Sequence, residues 1–231
     1  MRKRRAVLAF GAILAVAAPL HAEDRSCVGV FFADAPILRI ARVKAGAARV
    51  NFVRGGRPND PCPGDDASCR ETAFLVPGDL FILGARLGGF ACADYARGKA
   101  ARAGWLPFES IETVAPLSDP SAFAGVWKRP VAEIAIAWKD GKLTADALAT
   151  FGANDPDRRG HGAVNTGEFE GVLSLNGGQA EFNDETVDPK DPHSFGCRVR
   201  LARAGDLLFV RDNQQCGGFN VSFDGTYSRK R

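Results

Sequence analysis

From Ala132 onward apolar residues recur at every second position, and this alternation restricts the C-terminal half of the chain to strands. Ala132, Ile134, Ile136 and Trp138 fall on one side, with Glu133 and Lys139 on the other. A two-residue period marks a sheet with one buried face. Asp140-Gly141 follows, a pair that tolerates the positive φ angles of a tight hairpin, and residues 142–150 return. Phe169, Gly171, Leu173 and Leu175 make the next inward row, ending at Asn176-Gly177-Gly178. Phe195, Cys197, Val199 and Leu201 alternate with Arg198 and Arg200, turn at Ala204-Gly205, and lead into residues 207–211. Last, Phe219, Val221, Phe223, Gly225 and Tyr227 alternate with Asn220, Ser222, Asp224 and Thr226. About seven or eight antiparallel strands in so short a segment predict a closed barrel, which leaves no strand edge exposed. The stretch 152–162, with Asn154, Asp155, Asp157 and two arginines, breaks the pattern and reads as a loop.

The N-terminal half is also strand-like but less regular. Residues 36–40, 49–53, 73–76, 80–83 and 90–95 read as strands, and 96–103 as one helical turn limited by Gly98 and Gly104. Between the halves, Ala115-Pro116-Leu117-Ser118-Asp119-Pro120-Ser121 has the composition of a linker. The expectation is an all-β chain of two domains, residues 23–114 and 123–231, joined by 115–122, each folding on its own.

Ahead of them, Arg2, Lys3, Arg4 and Arg5 precede an apolar run from Ala6 to Ala18 and a small-residue exit at His21-Ala22. That is the layout of a cleaved secretory signal over residues 1–22, with Glu23 as the mature N-terminus. The apolar run is too short to span a bilayer, so no membrane span is expected after cleavage, and the compartment is periplasmic or extracellular. The whole chain has 30 basic and 27 acidic residues; without the four basic residues of the signal, 26 face 27. A mature chain this close to neutrality has no electrostatic attraction for nucleic acid.

All six cysteines lie in the mature part, and an even count in an exported chain reads as bridges. Cys197 and Cys216 are alone in their half and should pair. Cys62 and Cys69 share one polar loop and should close it, which leaves Cys27 for Cys92. No CxxC occurs and only His161 and His193 lie in the mature part, so no metal site is expected.

The segments Val76-Pro77-Gly78-Asp79-Leu80-Phe81-Ile82-Leu83, Gly89-Phe90-Ala91-Cys92-Ala93-Asp94-Tyr95 and Gly104-Trp105-Leu106-Pro107 resemble bacterial SH3-like domains, with residues 54–70 as an insertion. The resemblance implies a small barrel and a ligand groove. Gly125-Val126-Trp127 and Gly225-Thr226-Tyr227 at the two ends of the second half resemble the calycin group of barrels, which contains the lipocalins. The stretch from Asp212 to Phe223 is similar to tails of uncharacterised secreted bacterial proteins.

No catalytic constellation is visible. There is no Gly-x-Ser-x-Gly, no phosphate loop and no His-Glu-x-x-His, and the bridging scheme leaves no thiol nucleophile. His161 and His193 have no marked partner. Asn183, Asp184, Glu185, Asp188 and Asp191 supply hard oxygens for calcium but lack a binding-loop spacing, and read as a solvated run. The remaining candidates are aromatic: Phe90, Tyr95, Trp105 and Phe108, which the SH3-like resemblance places near a groove. Trp127 and Trp138 read as barrel packing. The expected function is non-enzymatic binding without a cofactor, of a cell-wall component or an envelope protein, including inhibition of a lytic enzyme. The competing readings are a lipocalin-like carrier of an apolar ligand, which needs a hollow barrel, and an envelope hydrolase, which needs an acid/base pair in a cleft.

Overall fold

The computed structural model describes residues 26–46, 48–56, 60–98, 100–184 and 196–230; residues 1–22, where a secretory signal is expected, His193 and most of the acidic run lie outside them. The chain is all-β and forms a curved open sheet followed by a closed barrel. All six cysteines are bridged, as Cys27–Cys92, Cys62–Cys69 and Cys197–Cys216.

Seven strands build the open sheet: β1 (Ile40–Val43), β2 (Val50–Val53), β3 (Arg70–Leu75), β4 (Leu80–Leu87), β5 (Phe90–Arg97), β6 (Ala100–Pro107) and β7 (Ile111–Val114). Their order is β3-β2-β6-β5-β4-β1-β7. The first strand begins where 36–40 was expected to end. No helical turn forms at 96–103: Ala96 pairs with Ala101 and Arg97 with Ala100, so these residues are a hairpin, with Gly98 at φ +62°. Small alanines, which suit either structure, made the helical reading, and the ladder overrides propensity.

The alternation then sorts side chains onto two faces. Phe52, Phe81, Ala91, Ala93 and Leu106 point into the concave core with Val43, Leu75 and Ile111. Their chain neighbours Val53, Phe90, Cys92 and Trp105 point to the other face and pack with Cys62 and Cys69. The disulfide-closed segment 62–69 thus roofs an apolar patch that would otherwise meet water.

The barrel is an up-and-down meander of β8 (Gly125–Arg129), β9 (Ala132–Lys139), β10 (Lys142–Phe151), β11 (Asn165–Asn176), β12 (Gln179–Asn183), β13 (Arg198–Ala204), β14 (Leu207–Asp212) and β15 (Gly225–Arg229). It closes by pairing β15 with β8, Ser228 opposite Lys128. Asp140 and Gly141 sit at φ +54° and +74°, the left-handed pair of the hairpin turn the sequence specifies. Small and large inward residues fill the axis: Ala145, Ala147 and Ala149 on β10 leave room for Phe169, Phe182 and Phe223. Phe169 contacts both other rings, at centroid distances of 5.0 and 4.9 Å. Trp127, wholly buried, closes one end beside Phe123 and donates its indole N–H to the Phe123 carbonyl at 2.7 Å. Trp138 is not interior; it stands 40% exposed at the end of β9.

The segment 115–122 lies against the barrel rather than spanning a gap, with the Leu117 amide bonded to the Arg203 carbonyl at 2.8 Å. Sheet and barrel also share a cluster: Val30, Leu38, Ile40 and Ile82 pack on Ala202, Ala204 and Phe209. Buried Arg211 ties the junction, donating from Nε to the Val30 carbonyl at 2.6 Å and pairing with Asp94. Arg200 donates to the Phe32 and Ala35 carbonyls at 2.8 and 2.9 Å.

Candidate functional site

The sequence pointed to four aromatics, and the structure divides them. Trp105 (2% exposed) and Phe90 (9%) belong to the cluster beneath the two N-terminal disulfides. Tyr95 and Phe108 are half-buried and pack against the opposite, concave core. The Phe108 ring lies 3.6 Å beneath the Arg86 guanidinium, and burial, reinforced by Asp79, raises the Tyr95 hydroxyl above its ordinary value. Two faces of one sheet cannot line one groove. A two-residue period already puts Phe90 and Tyr95 on opposite faces of one strand, which the expectation of a shared groove passed over, and no pattern announces that segment 62–69 covers the face carrying Trp105.

A different place gathers chemistry. The connections β8–β9, β10–β11 and β14–β15 meet at the barrel end remote from Phe123, around a cleft of about 610 Å3. Arg129, Phe151, Asp155, Arg158, Asn220, Ser222 and Asp224 line it. On one wall the expected loop contains a short helix, α1 (Pro156–Gly160). Asp155 caps it by accepting from the Asp157 amide at 2.9 Å, and Pro156 presets its first turn. This holds the Arg158 guanidinium over the Phe151 ring at 4.8 Å, with the Asp155 carboxylate 4.0 Å away. His161, at the end of α1, bonds its ring to the Asp157 carbonyl.

The other wall is the segment 213–224 between β14 and β15. A strand was expected from Phe219, yet the β14–β15 ladder begins only at Gly225 opposite Val210. Gln214 and Asn220 adopt left-handed φ of +62° and +65°, and the chain crosses the barrel end instead. There it reaches β11: the Gly218 amide bonds to the Thr166 carbonyl at 2.9 Å and Gly217 bridges Gly167. A Cβ on Gly217 would stand 2.3 Å from the Gly167 Cα, so only glycine allows this approach. The turn at Gly218 to Val221 leaves Phe219 82% exposed, not inward. The Cys197–Cys216 bridge anchors the segment to β13. A turn centred on Ala204-Gly205 would put Cys197 opposite Asp212, but the hairpin pairs Ala204 with Leu207 and Val199 with Asp212, a two-residue shift that brings Cys216 within reach.

Two carboxylates hold this wall. Asp224 Oδ1 accepts from the Asp212 amide at 2.6 Å, while Asp212 Oδ2 accepts from the Phe223 amide. Side chains here continue the ladder that the backbone has left. Asp212 Oδ1 takes both the amide and the side-chain N–H of Gln214, at 2.9 and 2.8 Å. Gln214 Nε2 also reaches Asp224 Oδ2 at 3.3 Å. Burial raises both carboxyls. That of Asp224 is pushed up to about 6, with the neighbouring Asp212 charge adding to the effect. Tyr227, pushed by burial up to about 12, donates to the Phe223 carbonyl at 2.8 Å and accepts from Arg129 Nε at 3.2 Å. Arg129 also donates to the Ser222 carbonyl, so neutral oxygens fix a guanidinium at the cleft.

None of Arg129, Asp212 or Asp224 stood out in the sequence. Asp224 sits at a polar position of an alternating pattern and reads as solvent-facing. A carboxylate directly after the buried run of β14 was the only hint.

Fold and site together define a disulfide-bonded β protein with a packed barrel and a charged cleft at its mouth. Three bridges fit an oxidising compartment, and among the described residues no helix is long and apolar enough to cross a membrane. Comparison with known protein families, curated proteins and solved structures finds no match.

Proposed function

We propose that this is an exported, non-enzymatic binding protein that holds a carboxylate-bearing peptide, of the kind found in cell-wall fragments, at the mouth of its barrel. The observation that carries this reading is the 610 Å3 cleft with Arg129 and Arg158 on its lining, set above a filled axis. Planar guanidinium donors held in place suit a carboxylate, which accepts paired hydrogen bonds. Asn220 and Ser222 add neutral polar groups for the peptide backbone. A lipocalin-like carrier needs the space that Phe169, Phe182 and Phe223 occupy. A hydrolase needs an acid/base pair turned towards its substrate, whereas the carboxyl beside Asp224 is Asp212, whose two oxygens are taken by the Phe223 and Gln214 amides inside the wall. The meander topology of the barrel supports the calycin resemblance, and the curved sheet, with residues 54–70 inserted, the SH3-like one.

The test is calorimetric titration of the full chain with N-acetyl-alanyl-alanine and with its C-terminal amide. The acid should bind saturably and the amide more weakly. Arg158→Ala should weaken binding of the acid about tenfold, the size of a charge-assisted hydrogen bond. Equal binding of acid and amide, or none, would remove the reading.

A further inference from the structure

Four charged side chains line the mouth, Arg129, Arg158, Asp155 and Asp224. With Asp224 ionised their charges cancel; with Asp224 protonated the mouth carries one net positive charge. We propose that the mouth takes up its carboxylate ligand together with a proton, and that the proton goes onto Asp224. This rests on the peptide-binding reading and names how that site is regulated.

The geometry supplies the reason. Asp224 belongs both to the cleft lining and to the clasp that it forms with Asp212 by reciprocal bonds to backbone amides, so its charge is sensed on two sides. Behind it stands Asp212, which shares the Gln214 amide group, and the Asp94–Arg211 pair at the junction reaches it from further off. From β8 comes Arg129 and from β15 the Tyr227 hydroxyl, which are bonded to each other. Across the cleft stand Asp155 and Arg158 of the α1 wall. A ligand carboxylate would add one more negative charge beside Asp212, close to a group already shielded from water. Adding a like charge favours the protonated form. The Asp224 carboxyl, about 6 without ligand, would move up towards neutrality. The proton comes from solvent and forms one O–H bond, and no other bond changes. Linkage then requires that lowering the pH tightens binding, since whatever favours the protonated carboxyl favours the bound state.

The experiment uses the full chain and N-acetyl-alanyl-alanine, whose carboxylate stays ionised down to pH 5. Titration in phosphate and in Tris at pH 7 measures protons exchanged, because the two buffers differ in ionisation heat. Net uptake of about half a proton is expected, with Kd about tenfold lower at pH 5 than at pH 8, as follows when the ligand makes the carboxyl tenfold harder to ionise. Asp224→Asn should abolish the uptake and flatten the pH profile, while Asp206→Asn, in the exposed turn between β13 and β14 at the far end of the barrel, should keep both. Because the clasp variant risks misfolding, 13C titration of the wild-type Asp224 carboxyl with and without peptide gives an independent reading, expected to move upward on binding. Binding with no proton exchange, or with release, overturns the coupling and leaves the peptide reading in place. Absence of any binding overturns both.

Discussion

Asp224 shows how far one residue can depart from what its position in a pattern suggests. Its carboxyl, about 6 in the fold against an ordinary 3.8, is raised, so the folded chain holds the proton more tightly than the unfolded one. Below pH 3.8 both states are protonated and burial costs nothing through this group. As the pH rises towards 6 the advantage is lost, and above it the fold carries a penalty of about 3 kcal/mol, from about 1.36 kcal/mol per pH unit. Asp212, also raised by burial, acts in the same direction. Asp224→Asn keeps an acceptor for the Asp212 amide without the charge. Its melting temperature should therefore exceed that of the wild type at pH 8 and converge with it near pH 4. Thermal melts across that range decide the matter, and a variant less stable at pH 8 would show that the charge is needed. Trp105 makes the opposite case: a residue suspected of binding that is held inside. Trp105→Ala removes a large side chain from beneath two disulfides and should cost about 3–5 kcal/mol in denaturant unfolding. A loss below about 1 kcal/mol would mean that the side chain is not packed there. Trp127 was legible as packing from its place in Gly125-Val126-Trp127 at the start of the second half; Trp105 was not, because its cover comes from a segment with no pattern of its own.

At the scale of elements, most strands and the closed barrel were readable from alternation and turn residues, Asp140-Gly141 above all, whereas the filling of its axis was not. What escaped was where a ladder stops. Phe219, Val221 and Phe223 keep the two-residue period, but Asp212 and Asp224 satisfy backbone amides that a continuing strand would have paired. The segment 213–224 is free to cross the barrel end only because Cys197–Cys216 and the Gly167–Gly217 approach fix its far side. Hence the bridge matters for the mouth as well as for stability. Replacing both Cys197 and Cys216 with alanine should cost about 3 kcal/mol for a loop of this length, and should weaken N-acetyl-alanyl-alanine binding by more than tenfold while the barrel strands persist. Hydrogen exchange would show faster exchange at Gly218 and Val221 and little change at Leu143–Ala147. Unchanged binding in the double variant would mean that the clasp alone orders this wall.

Across the whole molecule, the sequence reads as two halves with a linker, and each half does have its own sheet and bridges. The junction between them was hidden in plain residues. On β14, Leu208 and Val210 face the barrel core while Phe209 and Arg211 face outward and are nonetheless buried. A run apolar on both sides of a strand is the mark of a sheet covered on both faces. The cover here is the segment around Val30 together with Ile40 and Ile82. Burying Arg211 without Asp94 would leave an uncompensated charge, and removing either partner of such a pair costs about 3–5 kcal/mol. The two halves should therefore unfold as one unit, against the expectation that each folds independently. Heating the full chain while following the indole resonances of Trp105 in the sheet and Trp127 in the barrel should give one midpoint for both. Arg211→Ala should lower both together, and separate chains of residues 23–116 and 117–231 should each melt below the intact protein. Two separate midpoints in the wild type, with only one of them sensitive to Arg211→Ala, would show that the junction is a contact between independent domains and not part of a single cooperative structure.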